Sequence, residues 1–250
     1  MKKIIISFCV GAAMAGILAA FYPRELLYVP TREAIITMQK SQFPDGGIIL
    51  LGDSIMDGLL PPNTGQAVLN AGIGSSNTES YLPFGQRILN GTNPKAVIIA
   101  IGVNNARTDD AFSLEAFSME YAALCASAKE TGATVFVSTV LPVVNEASKK
   151  MGLGSSYFDV DAISAMNGKI RSIAAQNDYI LIDSFAELSD SEGSLPAKLS
   201  TDGVHLNLTP RIGGTIMAEE KDIPDDLIDA LLANYEKPDD LLGKTVSWSS

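Results

Sequence analysis

The chain has 250 residues, of which 46% are hydrophobic, and a formal net charge of −11 at pH 7. Its length and apolar content are sufficient for one domain around a single core. The acidic balance disfavours nucleic acid and anionic membrane surfaces as partners, because both attract clustered basic residues, and the 18 Lys and Arg residues here are dispersed among 29 Asp and Glu residues. The two cysteines, Cys9 and Cys125, lie in dissimilar contexts and do not predict a disulfide framework.

The N-terminal segment, residues 1–22, is typical of a signal peptide or a membrane anchor. Lys2 and Lys3 precede the run 4–22, which contains no charged residue. That run is at the lower limit for a bilayer span and longer than the usual apolar core of a cleaved signal, so both forms stay open. Either form predicts export to the periplasm or the extracellular side, because the positive residues stay in the cytoplasm. A retained segment 4–22 would tether the protein to the membrane.

Strand-like and helix-like runs alternate along the rest of the chain. A connector, residues 23–45, contains three prolines and a short amphipathic stretch over 32–42. The domain that follows, residues 46–250, has predicted strands at 47–51, 67–70, 96–101, 133–140 and 179–183, predicted helices at 78–89, 114–131, 160–176 and 224–235, and an acidic C-terminal tail. Strands that are apolar without alternation are buried on both faces, which requires helices on both sides of a parallel sheet. The sequence therefore predicts an α/β fold, a three-layer α/β/α sandwich with five parallel strands.

The first predicted strand ends in Gly52-Asp53-Ser54. Parallel sheets place their active sites beyond the carboxyl ends of the strands, so Ser54 is the candidate nucleophile. All three residues also favour turns, so the same stretch is consistent with a simple turn. The residue two positions after Ser54 is Met56 and not Gly, so the usual signature of the α/β-hydrolase nucleophile turn is absent.

His205 is the only histidine in the chain, and it follows Asp202 by three residues. A serine hydroxyl needs a general base to act as a nucleophile at neutral pH, and imidazole, with an ordinary pKa of about 6.5, suits this role. Asp202 can accept the Nδ1 proton and leave Nε2 directed at Ser54; the alternative is a surface loop with an Asp-Gly turn. A single histidine disfavours zinc and dinuclear metal sites, which use several His or Cys ligands. We predict no metal and no other cofactor.

Two further candidates follow the next two predicted strands. Ester hydrolysis creates an oxyanion, and each hydrogen-bond donor directed at it contributes about 3 kcal/mol. Gly72 offers a backbone N–H that a substrate can approach closely, and Asn104 offers a side-chain amide. Each alone is also consistent with an ordinary turn after a strand. The stretch 72–77 nearly matches a dinucleotide-binding fingerprint, but Asn77 stands at its third glycine, so no nucleotide site is predicted.

Taken together, four blocks of the chain resemble those of the GDSL-type or SGNH hydrolases: Gly52-Asp53-Ser54-Ile55, Gly72, Gly102-Val103-Asn104-Asn105 and Asp202-Gly203-Val204-His205. The resemblance extends over residues 47–207. It implies a flavodoxin-like sandwich without a metal cofactor, in a family of esterases, lipases, thioesterases and carbohydrate deacetylases. It also implies a role for each of five residues: Ser54 as nucleophile and first oxyanion donor, Gly72 and Asn104 as the other donors, His205 as general base and then acid, and Asp202 as the residue that orients His205.

Two features depart from the pattern of that family. Its third block usually ends in Asp, whereas this chain has Asn105, so a charge that could order the loop is missing. Residues 208–214 do not begin the regular closing helix that is expected after the last block.

These features predict an exported serine hydrolase that cleaves an ester of a carbohydrate or lipid through an acyl-enzyme on Ser54. A cell-envelope O-acyltransferase, which passes the acyl group to a glycan hydroxyl, is one alternative, and a non-catalytic glycan-binding module is another. The predicted partner is a small-molecule or glycan ester. Loops 59–65 and 141–159 would set the acyl length, and neither that length nor the oligomeric state follows from the sequence.

Overall fold

The computed structural model describes residues 24–59, 67–145, 154–200, 202–206 and 245–246. The predicted N-terminal segment 1–22 and the predicted helix 224–235 lie outside these ranges, as do residues 208–214 and parts of the loops 59–65 and 141–159. Within the described ranges, no helix is both long and apolar enough to span a bilayer.

Six parallel strands form one sheet in the described part of the chain, in the order β2-β1-β3-β4-β5-β6. The strands are β1 Ile48–Gly52, β2 Val68–Asn70, β3 Ala96–Ala100, β4 Thr134–Ser138, β5 Ile180–Ile182 and β6 Thr245–Val246. The predicted α/β fold with its five parallel strands is confirmed by β1 to β5. A sixth strand, β6, adds two residues beside β5; it lies in the acidic tail, where no hydrophobic period indicates a strand.

Helices lie between successive strands along the chain, as the crossovers of a parallel sheet require. They are α1 Arg24–Lys40, α2 Ser54–Asp57, α3 Thr78–Leu89, α4 Leu114–Glu130, α5 Val160–Gln176 and α6 Ser184–Leu188, with 3₁₀ turns at Val103–Ala106 and Ala197–Leu199. The bounds of α3 and α5 coincide with the predicted ones. Each of these helices begins at a strong N-cap: Asn77 accepts from the backbone N–H of Ser80, and Asp159 accepts from two backbone amides of the first turn of α5.

Both faces of the sheet are buried. Alternate residues of each central strand point to opposite faces, and they divide between two separate apolar clusters, with Ile49 and Leu51 in one and Ile48 and Leu50 in the other. The larger cluster also receives the buried residues of α3, α4 and α5. A parallel sheet covered in this way holds the carboxyl ends of its strands at one edge, where the loops carry the functional residues.

Helix α1 is longer than the short helix predicted over 32–42. It begins at Arg24 and continues through Pro30, and its Ile36 is fully buried in the larger core cluster. Proline usually ends a helix because it lacks a donor and its ring crowds the preceding turn, so the sequence pattern predicted a later start. The segment interpreted as a connector therefore contributes to the core.

Candidate active site

Ser54 lies at the carboxyl end of β1, as the first residue of the single-turn helix α2. Asp53 is the N-cap of this helix, and its side chain accepts from the backbone N–H of Ile55 at 3.0 Å. Only glycine fits immediately before Asp53, because a Cβ at position 52 would lie 2.1 Å from the carbonyl oxygen of Ala100 on the neighbouring strand and 2.7 Å from Cβ of Met56 in α2. The Ser54 hydroxyl is therefore presented at the edge of the sheet.

The structure brings Ser54, His205 and Asp202 into one hydrogen-bonded chain. The hydroxyl of Ser54 lies 2.8 Å from Nε2 of His205, although the two residues are 151 positions apart in sequence. Nδ1 of His205 lies 2.5 Å from Oδ2 of Asp202. With Nδ1 donating to the carboxylate, Nε2 is free to accept the serine proton, which is the tautomer that a general base needs.

Asp202 is buried and held by its own loop. Its Oδ1 accepts from the backbone amides of Val204 and His205 at 3.0 and 2.8 Å, and the hydroxyl of Ser200 lies 3.3 Å away. Burial alone would raise the pKa of Asp202, but the hydrogen bonds from His205 and from these amides outweigh it and hold the pKa below its ordinary value. The carboxylate is therefore ionised across the neutral range and fixes the orientation of the imidazole.

Asp53 joins the ends of two strands behind Ser54. Its Oδ2 accepts from the backbone N–H of Gly102 at 3.2 Å, just after β3, while Oδ1 caps α2. The side chain is almost completely buried, and burial raises its pKa to about 6 in spite of these hydrogen bonds. The sequence showed Asp53 only as a turn residue, because its second contact depends on the distant Gly102.

Gly72 lies where α2, the helix that begins at Ser54, approaches the end of β2. A Cβ at this position would lie 2.3 Å from the backbone nitrogen of Asp57 and 2.7 Å from the carbonyl carbon of Met56, so only glycine permits the contact. Its N–H donates to Oδ1 of Asn70 at 2.9 Å. The predicted role of Gly72 as an oxyanion donor would require this amide to leave Asn70, whereas its packing role is directly visible.

Asn104 is buried in the 3₁₀ turn that follows β3. Its Nδ2 donates to the carbonyl oxygen of Ser76 at 3.0 Å, which draws the loop after β2 toward it. An amide nitrogen carries two protons, so one remains for a substrate oxygen. In the same loop, Ser75 is exposed and has a left-handed backbone with φ of 63°.

Asn105 orders its loop without a charge. Its Oδ1 accepts from the backbone N–H of Thr78 at 3.1 Å, and its Nδ2 donates to the Thr78 hydroxyl at 2.9 Å. The hydroxyl in turn donates to a carboxylate oxygen of Glu120 at 2.5 Å. The negative charge that the third block usually carries is therefore supplied next to this loop by a residue of α4.

A polar cavity of about 290 Å³ opens beside Asn104. Its lining includes two other amides, three carboxylates and one partly buried aromatic ring: Asn77, Asn105, Glu79, Asp110, Glu120 and Phe112. None of its lining residues is basic. Among the described residues, no cluster of His, Cys, Asp and Glu has the arrangement of a metal site.

Two residues of α1 also reach this edge of the sheet. Arg32 forms an ion pair with Asp57, the last residue of α2, and Tyr28 donates to the same carboxylate. Sequence reasoning missed both, since their partners lie about 25 to 46 residues further along and no local spacing marks the contact.

The parallel α/β fold, with a Ser-His-Asp hydrogen-bond chain at the carboxyl ends of its strands, has the architecture of a serine hydrolase. A model of the GDSL-like Lipase/Acylhydrolase family matches residues 50–209, and the chain belongs to this family. The resemblance deduced from the four blocks is thereby confirmed, and the protein is a hydrolase. No curated protein sequence matches the chain.

Solved structures share the fold. A Streptococcus pneumonia protein whose name refers to platelet activating factor is 20% identical, with a TM-score of 0.63 over 78% of this chain and 91% of that one. A GDSL-like lipase from Bacteroides thetaiotaomicron is 17% identical, with a TM-score of 0.60 over 70% and 88%. The lipase/acylhydrolase from Enterococcus faecalis is 19% identical, with a TM-score of 0.55 over 80% and 100%. At these identities the likeness concerns the fold alone, and it confirms the expected SGNH hydrolase sandwich.

Proposed function

We propose that the protein is a serine esterase that forms an acyl-enzyme on Ser54. The observation that carries this proposal is the 2.8 Å contact between the Ser54 hydroxyl and Nε2 of His205, with Asp202 at 2.5 Å from Nδ1. A purely structural role for Ser54, His205 and Asp202 would not require their hydroxyl, imidazole and buried carboxylate to be hydrogen-bonded in this order. That order is the one in which a general base activates a nucleophile.

The reaction then follows from these contacts. Oγ of Ser54 attacks the ester carbonyl carbon while its proton passes to Nε2 of His205, and Asp202 stabilises the imidazolium that forms. The oxyanion receives hydrogen bonds from Nδ2 of Asn104 and from the backbone N–H of Ser54, and Gly72 becomes the third donor when its N–H leaves Asn70. Collapse of the intermediate expels the alcohol, which takes the proton from His205. A water molecule, deprotonated by the same imidazole, then attacks the acyl-enzyme and releases the acid and the free serine.

We further propose that the alcohol is rich in hydroxyl groups, as in an acylated carbohydrate. The support is the cavity beside Asn104, which shares this residue with the site but is lined by neither Ser54 nor His205. Its amides and carboxylates can donate to and accept from hydroxyl groups, whereas an alkyl chain would contact a mostly polar wall. Its three carboxylates also disfavour substrates that carry phosphate or another anion near the ester.

Two further proposals depend on the sequence: that the protein is exported, and that its chain is divided into an N-terminal segment, a connector and a domain. We propose that residues 1–22 direct the protein across the cytoplasmic membrane, as a signal peptide or as an anchor, and that it acts in the periplasm or outside the cell. The support is the charge-free run after Lys2 and Lys3.

The test is ester hydrolysis by the full-length protein. Wild type should cleave a short-chain aryl ester and release acetate from an acetylated sugar, and Ser54→Ala should lose most of both rates, by up to ~10⁶-fold if the three residues act as a unit. Ser41→Ala is the matched control, because within the described residues the Ser41 hydroxyl donates to the carbonyl of Met38 alone. Equal rates in wild type and Ser54→Ala would overturn the mechanism. Preference for long acyl lipids over acetylated sugars would overturn the proposed substrate class alone.

A further inference from the structure

Helix α1 holds the backbone around the nucleophile through Arg32. Its Nε lies 2.9 Å from Oδ1 of Asp57 and donates to the carbonyl oxygen of Gly72 at 3.1 Å. Its Nη2 donates to the carbonyl oxygen of Asn70 at 3.2 Å. The Arg32 and Asp57 side chains are only 21% and 24% exposed, so solvent screens this ion pair less than an open surface pair.

Tyr28, one turn before Arg32 on the same helix, makes a second set of contacts. Its hydroxyl donates to Oδ2 of Asp57 and accepts from the backbone N–H of Gly74 at 3.1 Å. Gly74 leaves little free space at this point, because a Cβ there would lie 3.3 Å from the Tyr28 ring and hydroxyl. Arg32 and Tyr28 thus hold both oxygens of Asp57 and three backbone groups of the chain between Asn70 and Gly74.

Both segments held in this way belong to the candidate site. Asp57 ends the four-residue helix that begins at Ser54, and a single turn of helix has little stability of its own. The loop after β2 leads to Ser76, whose carbonyl accepts from Asn104. A shift of α1 would therefore change the position of the nucleophile relative to the amide that faces the oxyanion.

We propose that Arg32 and Tyr28 are positioning residues. Through Asp57 and the carbonyl and amide groups of residues 70–74, they hold α2 and the loop after β2 in the relative arrangement that catalysis needs. This inference rests on the proposed function of Ser54. It extends the functional unit to α1, a segment that the sequence pattern separates from the catalytic domain. Neither side chain needs to touch the substrate in order to act.

The same helix offers a matched control. Glu33, next to Arg32, pairs with Arg87 of α3 at 2.8 Å, and this ion pair also attaches α1 to the domain. It lies away from the nucleophile, and its Arg87 side chain is 55% exposed. Glu33→Gln therefore weakens the docking of α1 without removing any contact to Asp57 or to the loop after β2.

The experiment compares Arg32→Ala, Arg32→Lys, Tyr28→Phe and Glu33→Gln in the full-length protein. Arg32→Ala should lower kcat for the aryl ester by about 10- to 100-fold, the effect of misplacing reacting groups by about 1 Å, with KM within about twofold. Arg32→Lys should recover part of the loss, since an ammonium can pair with Asp57 but cannot reach two carbonyl oxygens as a planar fork. Tyr28→Phe should lower kcat less, because its ring still packs on Gly74, and Glu33→Gln should keep the wild-type kcat.

Thermal unfolding of each variant separates positioning from loss of fold. Three results would overturn the inference. The first is a wild-type kcat in both Arg32→Ala and Tyr28→Phe, and the second is a fall in the kcat of Glu33→Gln as large as that of Arg32→Ala at a matched Tm. The third is a change in Arg32→Ala that is confined to KM. Tyr28→Phe retains the ring and decides the question alone if Arg32→Ala does not fold. Ser54→Ala distinguishes the two proposals. If Ser54→Ala is inactive and Arg32→Ala has the wild-type kcat, only the positioning role is rejected. If Ser54→Ala is active, the proposed function itself is rejected.

Discussion

Replacement of Gly72 by alanine tests how closely the nucleophile's helix packs on the sheet. The added Cβ would lie 2.3 Å from the backbone nitrogen of Asp57 and 2.7 Å from its Cα, and both atoms belong to the backbone, so no side-chain rotation can relieve the overlap. An ordinary contact of 3.4 Å or more requires α2 to move by about 1 Å, and a displacement of that size can lower activity by about 100-fold. Overpacking of this kind also costs about 1–3 kcal/mol in the free energy of unfolding.

Gly168→Ala is the control for this prediction. Gly168 lies in α5, and a Cβ there meets no atom of another described residue within 4 Å, so alanine should stabilise the helix by up to about 1 kcal/mol and leave activity unchanged. Ester hydrolysis and thermal unfolding of the two variants give the comparison. A Gly72→Ala protein with the kcat and Tm of wild type would show that α2 does not depend on this contact.

Three further predictions probe other contacts of the site. Asp202→Asn should lower kcat by about 10⁴-fold, because the amide no longer selects the imidazole tautomer with Nε2 free; an unchanged rate would remove Asp202 from the mechanism. Asn105→Asp should lower the free energy of unfolding by about 1–3 kcal/mol, since it replaces the donor to the Thr78 hydroxyl with a second carboxylate beside Glu120. Adding Glu120→Gln to this variant should recover part of the loss. An unchanged Tm in Asn105→Asp would contradict the hydrogen-bond network of Asn105, Thr78 and Glu120. Burial raises the pKa of Asp53 to about 6 from 3.8, so its contribution to stability is full below about pH 4 and is lost as the pH rises through 6. The Tm of Asp53→Asn relative to wild type should therefore rise between pH 4 and pH 7, by an amount that corresponds to about 2–3 kcal/mol, and a constant difference would show that Asp53 does not titrate in this range.

The fold could be predicted largely because its signals are local. Runs such as 48–51 are apolar on both faces, which indicates buried parallel strands. The starts of α3 and α5 coincide with the prediction because Asn77 and Asp159 cap them through side-chain oxygens that the sequence displays directly. In contrast, α1 was predicted too short, since the buried position of Ile36 compensates for Pro30 only in the folded protein.

The site was predictable only in part. The chain has one histidine, so Ser54 and His205 were the natural pair, and the structure brings them within 2.8 Å. The amide of Gly72 faces Asn70, a contact that depends on how the loop folds back and that spacing along the chain does not determine. Arg32 gave no signal in the sequence, because a surface arginine on a helix has the same local pattern whether or not it reaches a distant carboxylate.

Covalent labelling with a fluorophosphonate probe tests the central claim most directly. The full-length protein is treated with the probe, and the modified residue is identified by mass spectrometry of its peptides. The account predicts one phosphonyl group on Ser54 in wild type and in Ser41→Ala, none in Ser54→Ala, and much slower labelling in His205→Ala, because the serine then lacks its base. Wild type that stays unlabelled, or label that persists in Ser54→Ala, would contradict the assignment of Ser54 as the nucleophile.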